Sequence, residues 1–396
     1  MTDVPAFLAD PGLHAILDAL PAARIVGGAV RDALAGRPIA DVDIATPDPP
    51  ASVQAALASA GIRSVPTGIA HGTVTAIRDG RGFEITTLRR DAETDGRHAV
   101  VAFTDDWRED AARRDFTINA MSMTRDGTVF DYFDGLTDLR AGLVRFVGDP
   151  ATRIAEDYLR ILRFFRFFAR YAAGPPDPGS VTAIRQAVPG LAALSVEPVW
   201  SELTRILSAP DPCPAIRLMD ELGVLAVIMP EGADPGRLDC LIAAGAPVDP
   251  VLRVAALLTG DPLAFATRLR LSAADRDRLA ALRQAPVPDP GVDDAALRLL
   301  LADHDKTVLI DRMWLEKPVR RRLQSRLAAL PVPVFPLEGR DVLALGVQPG
   351  PLVGSLLRQV RAWWLQGGCR ADAASCRSEI ARLAQPANTP EISPKR

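Results

Sequence analysis

The spacing of hydrophobic and polar positions along this chain changes near Pro150. Before it, short β-branched and apolar runs separated by turn residues predict strands. These runs are residues 24–26, 42–45, 73–78, 83–88 and 128–132. After it, apolar residues recur at helical spacing, and loops rich in proline and glycine separate the segments. The pattern therefore predicts an α+β protein with a small N-terminal sheet and an all-α remainder.

The segment after Pro150 has a strong helical pattern. Asp149 can cap a helix that begins at Pro150, and Gly174 lies beyond its expected end. At 100° per residue one side of this helix is apolar and the other is charged. The apolar side contains Ile154, Tyr158, Ile161, Leu162, Phe165 and Phe168, and the charged side contains Asp157, Arg160, Arg163, Arg166 and Arg170.

The composition narrows the class of protein. A chain of 396 residues, 48% hydrophobic and 24% charged, predicts a globular protein of two or more domains. The apolar runs are too short for a bilayer span and the first twenty residues contain no basic region. We therefore expect no signal peptide, no membrane partner and a cytoplasmic location. The four cysteines lack metal-ligand spacing. A net charge of −3 argues mildly against extensive nucleic-acid coating.

The segment IVGGAVRDALAGRPIADVDIAT, residues 25–46, contains candidate metal ligands. In an extended strand alternate side chains share a face, so Asp41 and Asp43 point one way while Val42 and Ile44 point into a core. Mg²⁺ prefers one or two carboxylates together with phosphate oxygens and water. A metal site is one interpretation, and a solvated strand end is the common alternative for an isolated Asp-x-Asp.

The start of the same segment contains candidate phosphate ligands. Gly27 and Gly28 follow a β-branched pair and open a predicted helix. Two glycines let backbone N–H groups approach a phosphate closely, and Arg31 lies one helical turn further on. A bare Gly-Gly is otherwise a turn, and neither the dinucleotide fingerprint nor the P-loop spacing follows it.

Asp157 and Arg160, three residues apart, are predicted to lie side by side on one helix. A carboxylate accepts from the exocyclic amine of cytosine or adenine, and a guanidinium donates to the adjacent ring nitrogen. Uracil and guanine present a carbonyl beside a ring N–H and would leave these groups unpaired. The pair could therefore select C and A, although an ion pair on a solvated helix face is the alternative.

Further motifs follow in order along the chain. They are GIAHGTV at 68–74, FEITTLR at 83–89, RRDFTINA at 113–120, FDYFDGLTDLRAGLVRFVGDP at 130–150 and EDYLRILR at 156–163. With residues 25–46, they resemble class II template-independent RNA nucleotidyltransferases, the tRNA CCA-adding enzymes and bacterial poly(A) polymerases of the DNA polymerase β superfamily. The resemblance covers about the first 165 residues and is weak beyond Pro230.

The resemblance implies a domain organisation. Residues 1–148 are expected to form a polymerase-β-like nucleotidyltransferase head, and residues 149–210 a helical neck that recognises the base. Residues 211–384 are expected to form a helical body and tail that bind RNA. Residues 385–396, rich in proline and polar residues, are predicted to be disordered. Residues 91–101, which are polar, are predicted to form a mobile loop.

The resemblance also implies roles for individual residues. Asp41 and Asp43 would be catalytic and would hold Mg²⁺. The phosphate and ribose ligands would be Gly27, Gly28, Arg31, Arg114, Asp115 and Asn119, with Asp115 accepting from the ribose 2′-OH. Asp157 and Arg160 would template the base, and Arg163 and Arg166 match further nucleotide-site arginines. From spacing alone, Arg113 is equally plausible as a phosphate ligand.

Three positions are weaker candidates or departures from the family. Glu84 could be a third catalytic acid, but a carboxylate on a strand face is the preferred interpretation. His71 lies in a glycine-flanked turn and is interpreted as a hydrogen-bonded loop residue. Pro198 follows Glu197 where the family usually has arginine, which puts a local ion pair of the neck in doubt.

The predicted activity is addition of CCA to the tRNA 3′ end from CTP and ATP, by two-metal phosphoryl transfer that releases pyrophosphate. A poly(A) polymerase, or an enzyme that adds only CC or only A, is an alternative within the family. An inactive RNA-binding relative is the alternative from another class. A fused HD-type phosphohydrolase is disfavoured, because His304-Asp305 is the only His-Asp dipeptide in the chain.

Overall fold

A computed structural model of the chain describes residues 5–91, 101–316 and 320–384. The chain forms two compact units, one ending at Pro235 and the other beginning at Gly236. The division into head, neck and body at residues 148 and 210 stays a prediction. Most of the predicted loop, residues 92–100, and the predicted disordered tail, residues 385–396, lie outside the described residues.

A mixed sheet organises the head. The strands are β1 (Arg24–Val26), β2 (Asp43–Thr46), β3 (Arg63–Gly68), β4 (Thr73–Arg78), β5 (Arg81–Thr87), β6 (Arg89–Asp91), β7 (Val101–Phe103), β8 (Ser122–Met123) and β9 (Val129–Phe130). Among the described residues, seven of them form one sheet in the order β3-β4-β5-β2-β1-β8-β9, and β6 pairs with β7. Strands β2 and β5 are parallel, and the other neighbours are antiparallel. The predicted α+β head is confirmed.

The helices of the first unit follow the strands and continue beyond them. They are α1 (Pro11–Ala19), α2 (Gly28–Leu34), α3 (Pro50–Ser59), α4 (Trp107–Ala112), α5 (Gly135–Ala141), α6 (Pro150–Glu156), α7 (Leu159–Tyr171), α8 (Pro178–Ala187), α9 (Val196–Leu207), α10 (Cys213–Glu221) and α11 (Val224–Ile228). Asp149 caps α6 as predicted, because its carboxylate accepts a hydrogen bond of 2.8 Å from the Thr152 amide.

Alternation along β2 separates the core from the open face of the sheet. Ile44 is buried with Ile25 and Ile85 against the side chains of α1 and α3. Val42 packs against the same core, as predicted. Asp43, one position from Ile44, is exposed on the opposite face. The strand begins at Asp43, so the prediction that Asp41 lies on it is wrong, and Asp41 belongs to the preceding loop.

The long helix predicted after Pro150 is two helices, α6 and α7. Asp157 interrupts them with extended backbone, φ −158° and ψ 107°. Its side chain accepts a 2.9 Å hydrogen bond from the Leu159 amide, and this local alternative to helical bonding is characteristic of aspartate. The prediction that Asp157 and Arg160 share one helix is therefore wrong.

Aromatic packing attaches α7 to the head. The ring centroid of Phe116 lies 4.8 Å from that of Phe146 and 5.1 Å from that of Phe167 on α7. Phe164, also on α7, stacks on Phe146 at 6.0 Å. Phe116 and Phe164 are completely buried. Burial of these rings stabilises α7 against the head, since large aromatic side chains contribute most of the energy of such cores.

The second unit is helical in its described part. Its helices are α12 (Pro235–Ala243), α13 (Pro250–Leu257), α14 (Pro262–Arg268), α15 (Ala273–Gln284), α16 (Asp294–Asp303), α17 (Lys306–Trp314), α18 (Arg321–Ala329), α19 (Gly339–Leu343), α20 (Pro351–Gln366) and α21 (Ala373–Ala384). Leu297, Leu309 and Leu327 form one core there, and Val360, Trp364 and Ile380 belong to another. No described helix is both long and apolar enough to span a bilayer.

Candidate active site

Three carboxylates line one cavity beside the open face of the sheet. In the β2–β5 pairing Asp43 lies directly opposite Glu84, and directly paired residues share a face of the sheet. Asp41, Asp43 and Glu84 line a cavity of about 650 Å³. The structure thus brings together the two acids predicted from the sequence and adds Glu84, for which a plain strand face is the sequence interpretation.

The electrostatics of this acidic cluster favour a cation. Asp43 has exposed surface, yet the cavity walls displace enough water to raise its pKa. The negative charge of Glu84 raises that pKa further, Arg114 opposes the shift and Asp41 adds to it. All three acids are hard oxygen donors of the kind that divalent cations prefer. Among the described residues, no group of three or more His, Cys, Asp or Glu has the arrangement of a preformed metal site.

A second cavity, of about 460 Å³, contains every residue predicted to bind the nucleotide. The head contributes Gly27, Gly28, Arg31, Arg114, Asp115 and Asn119, and the segment from α6 to α7 contributes Asp157, Arg160, Arg163 and Arg166. Asp43 also lines it, so this nucleotide cavity adjoins the acidic cluster. Of these two cavities, Asp41 lines the acidic one.

Glycine is required at position 27 by both backbone and space. Gly27 has φ +68° and ψ −126°, a conformation that L side chains rarely adopt. A Cβ atom there would lie 3.0 Å from Nη1 of Arg114. Nη2 of Arg114 donates to Oδ2 of Asp110 at 3.2 Å, which holds the guanidinium close to the glycine turn. The turn and the arginine therefore fit each other.

Arg31 is held rigidly although it lines the cavity. Its Nε and Nη2 donate to the Asp32 carboxylate at 3.1 and 3.0 Å, and Nη1 donates to Oδ1 of Asn119 at 2.6 Å. The guanidinium also lies 4.6 Å from the ring centroid of Tyr171 and 5.0 Å from that of Phe167. These contacts fix its orientation before any ligand binds.

Asp115 is the buried acid of the RRDFTINA motif, with 8% of its surface exposed. It accepts hydrogen bonds from the Phe116 amide at 2.9 Å, Nδ2 of Asn119 at 3.0 Å, and Nε of Arg163 at 2.8 Å. Burial alone would raise its pKa, but the charge of Arg163 and these hydrogen bonds outweigh burial and lower it. Asp115 is therefore ionised at neutral pH.

Asp157 and Arg160 line the same cavity, but Arg160 is held by other partners. Its Nη1 donates to the backbone carbonyl of Arg153 at 2.9 Å and forms an ion pair with Glu156. Asp157 uses Oδ1 to accept from the Leu159 amide. The two side chains are thus oriented separately beside one cavity, which corrects the prediction of a pair on one helix face.

Glu202 of α9 holds Arg166. Nη1 of Arg166 donates to Oε1 of Glu202 at 3.0 Å, and Arg205 also pairs with that oxygen, at 3.2 Å. Burial lowers the pKa of Arg166 to about 10, although Glu202 opposes the shift. The chain thus has an ion pair between α7 and α9, despite Pro198 in the neck motif.

Two contributors were not identified from the sequence. Phe167 lines the nucleotide cavity, and the Arg166 guanidinium lies 4.5 Å from its ring centroid. Asp110 is buried and pairs with both Arg113 and Arg114. Helical spacing is the signal for both: Phe167 lies four residues after Arg163, and Asp110 lies four residues before Arg114.

The chain is similar to known proteins over most of its length. Residues 23–145 match the poly A polymerase head domain, and residues 176–234 match the probable RNA and SrmB-binding site of polymerase A. CCA tRNA nucleotidyltransferase 1, mitochondrial, of Mus musculus is 37% identical over 365 residues, which cover 88% of this chain and 84% of that protein. A CCA-adding enzyme of Levilactobacillus brevis is 34% identical over 88% of this chain and 91% of its own.

A solved structure agrees with the sequence relatives. The crystal structure of the Bacillus stearothermophilus CCA-adding enzyme in complex with CTP has a TM-score of 0.72 and 27% identity, and the match covers 94% of this chain and 98% of that one. These relatives, together with the acidic cluster and the adjoining cavity, show that the chain belongs to the family of tRNA CCA-adding enzymes and poly(A) polymerases, which are nucleotidyltransferases.

Proposed function

We propose that this chain adds C, C and A in turn to the 3′ end of tRNA, from CTP and ATP, with release of pyrophosphate. One observation carries the proposal: a single cavity of about 460 Å³ contains Asp43 together with Asp157 and Arg160. That volume lies in the range of small-molecule sites. The relatives named above are CCA-adding enzymes, and the Bacillus stearothermophilus enzyme was solved with CTP.

The acidic cluster fits a divalent cation, and nucleotidyltransferases of this family use such ions. The fit rests on donor chemistry. The negative charges of Glu84 and Asp41 raise the pKa of Asp43, and a bound cation offsets this repulsion. We propose that Asp41 and Asp43 hold Mg²⁺, with Glu84 beside them. When bound, such ions activate the 3′-OH and neutralise charge on the α-phosphate and the leaving pyrophosphate.

The protein's own groups act mainly by positioning. Gly27 and Gly28 let the backbone approach the triphosphate, and Arg113 and Arg114 offer cationic donors beside it. Arg31 adds a third guanidinium whose orientation Asp32 and Asn119 already fix. Charges that are held in place before the reaction cost no reorganisation as negative charge develops, so they favour the transition state.

Asp115 is proposed to accept from the ribose 2′-OH. Its carboxylate is ionised and buried, so a lost hydrogen bond there is costly. A ribonucleotide offers its 2′-OH to that carboxylate as a donor, whereas a deoxynucleotide has no hydroxyl there. We therefore expect discrimination against dCTP in favour of CTP.

Asp157 and Arg160 are proposed to read the base. The Asp157 carboxylate accepts from the exocyclic amine of C or A, and the Arg160 guanidinium donates to the adjacent ring nitrogen. UTP and GTP present a carbonyl where the carboxylate needs a donor. The Leu159 amide orients Asp157 and Glu156 orients Arg160, and both side chains line the cavity.

The matched region at residues 176–234 supports RNA binding by this chain, and we propose that the RNA is tRNA. The expected cytoplasmic location stays a prediction, and the Mus musculus relative is named as a mitochondrial protein.

The test offers the full chain tRNA that ends at the discriminator base, with CTP, ATP or both, and sequences the products. We expect CC with CTP alone and CCA with both, dependent on added Mg²⁺ and abolished by a chelator. Products carrying only A would instead indicate a poly(A) polymerase or an A-adding enzyme. No extension of any RNA end would contradict the proposal.

A further inference from the structure

A continuous set of side-chain contacts leaves α7, crosses the head and returns to α7. The Tyr171 hydroxyl donates to Oδ1 of Asp32, and Asp32 accepts from Nε and Nη2 of Arg31. Nη1 of Arg31 donates to Oδ1 of Asn119 at 2.6 Å. Nδ2 of Asn119 donates to Asp115 at 3.0 Å, and Asp115 accepts from Arg163. We name these six residues the clamp network: Tyr171, Asp32, Arg31, Asn119, Asp115 and Arg163.

Both ends of the clamp network lie on the same helix. Arg163 and Tyr171 are eight residues apart on α7, about 12 Å at 1.5 Å per residue. The four residues between them all belong to the head. Hydrogen bonds are directional, so two attachment points about 12 Å apart resist both sliding and rotation of the helix against the head. Apolar packing of Phe164 and Phe167 alone is less directional.

The network is largely shielded from water. Tyr171, Arg31, Asn119 and Asp115 each expose 8% or less of their surface. Burial raises the pKa of Tyr171, so its hydroxyl remains protonated and donates at neutral pH. Polar groups buried in this way need their partners, because a buried group without a hydrogen bond destabilises the fold more than an exposed group that water can solvate.

The two sides of this contact have different proposed tasks. The head contributes Arg31, Asp115 and Asn119, which face the triphosphate and ribose in the proposed function. The start of α7 contributes Arg160, and Asp157 lies two residues before this helix; both face the base in the proposed function. The alignment between the base and its readers therefore depends on how α7 is seated on the head.

We propose that Tyr171 is a positioning residue for base selection. By holding Asp32, its hydroxyl fixes the head groups that hold sugar and phosphates against the helix that reads the base. This inference rests on the proposed function and adds a residue that lies outside the matched motif segments of the chain. Without the hydroxyl, the far end of α7 keeps the hydrogen bond from Arg37 to the Arg170 carbonyl but loses its link to Asp32 and the clamp network, so a mispaired base is tolerated more readily.

The test compares Tyr171→Phe with the wild-type full chain. The assay measures kcat and KM for CTP and for UTP on tRNA that lacks CCA. We expect the ratio of kcat/KM for UTP to that for CTP to rise on the order of tenfold, as expected for a lost hydrogen bond to a charged group. Tyr132→Phe is the matched control, because its hydroxyl accepts from Nη1 of Arg24 at 3.3 Å, outside the clamp network.

If Tyr171→Phe lowers the melting temperature strongly, Asp32→Asn tests the same contact from its other side. It should raise the ratio as well, and the double variant should add little to the larger single effect, because both changes break one network. If folded Tyr171→Phe shows an unchanged ratio of kcat/KM for UTP to that for CTP, including the case in which both values fall equally, the positioning role is overturned. Failure of the wild-type chain to add CTP at all would instead overturn the proposed function.

Discussion

Replacing Asp115 by asparagine changes the charge of one buried group with almost no change in shape. Oδ1 can still accept from the Phe116 amide, and the backbone need not move. The amide nitrogen, however, replaces an oxygen that accepts from Nε of Arg163 at 2.8 Å and also contacts its Nη2. Nε and Nη2 of Arg163 then face the N–H groups of the new amide, and the ion pair between Asp115 and Arg163 is lost.

The size of the effect follows from these contacts. A hydrogen bond to a charged group contributes about 1.5–3 kcal/mol, and breaking a fully buried ion pair costs about 3–5 kcal/mol. The Arg163 side chain is 36% exposed, so water partly replaces its lost partner. We therefore expect Asp115→Asn to lower the free energy of unfolding by about 2–4 kcal/mol at pH 7.

The effect should depend on pH with a definite sign. The pKa of Asp115 is lowered in the folded chain, so its ionised form stabilises the fold above the unfolded value of about 3.9. That stabilisation is lost as pH falls through the lower folded pKa. The difference between wild type and variant should be constant from about pH 8 to pH 5 and should shrink below about pH 4.

Urea unfolding of the full chain, followed by circular dichroism across this pH range, measures the difference. Hydrogen exchange of the segment around Phe116 reports the local effect separately. Asp105→Asn is the control, since Asp105 is exposed and should show no change. A loss below about 1 kcal/mol at pH 7, or a loss equal to that of the control, would refute the reasoning.

Three further changes test the site. Asp43→Asn should lower CTP addition on the order of a thousandfold or more with an unchanged melting temperature, because metal ions supply several kcal/mol of charge stabilisation; residual rates near wild type in steady-state assays would contradict its role. Gly27→Ala should cost about 1–3 kcal/mol in thermal unfolding and raise KM for CTP, because its Cβ meets Arg114, whereas Gly80→Ala, with φ +77° and open space around it, should cost stability alone. Asp157→Asn should erode discrimination between CTP and UTP by at least about tenfold in competition sequencing, and unchanged base choice would exclude it as a reader.

Local signals in the sequence were sufficient for much of the fold. The strand at 24–26 and the cap at Asp149 follow from β-branched runs and from the Asp-Pro pair, which act over a few residues. Phe116 and Ile118, both fully buried, show a local signal of the same kind, because they alternate with the polar residues Asp115, Thr117 and Asn119.

Contacts between distant segments were not predictable in the same way. Glu84 lies opposite Asp43 because β2 and β5 pair in parallel, and the partner and register of a strand depend on the whole sheet. The break at Asp157 was missed because the apolar arc continues across it, while the side chain's bond to the Leu159 amide favours extended backbone. Because of that break, Arg160 pairs with Glu156 and not with Asp157.

The central claim is that protein side chains, and no nucleic acid template, read the base in a cavity that adjoins the metal-binding acids. A crystal structure of the chain with CTP and Mg²⁺ tests it most directly. The account predicts the cytosine edge within hydrogen-bond distance of Asp157 and Arg160, with the α-phosphate beside Asp43. A nucleotide bound with its base away from both side chains would contradict it.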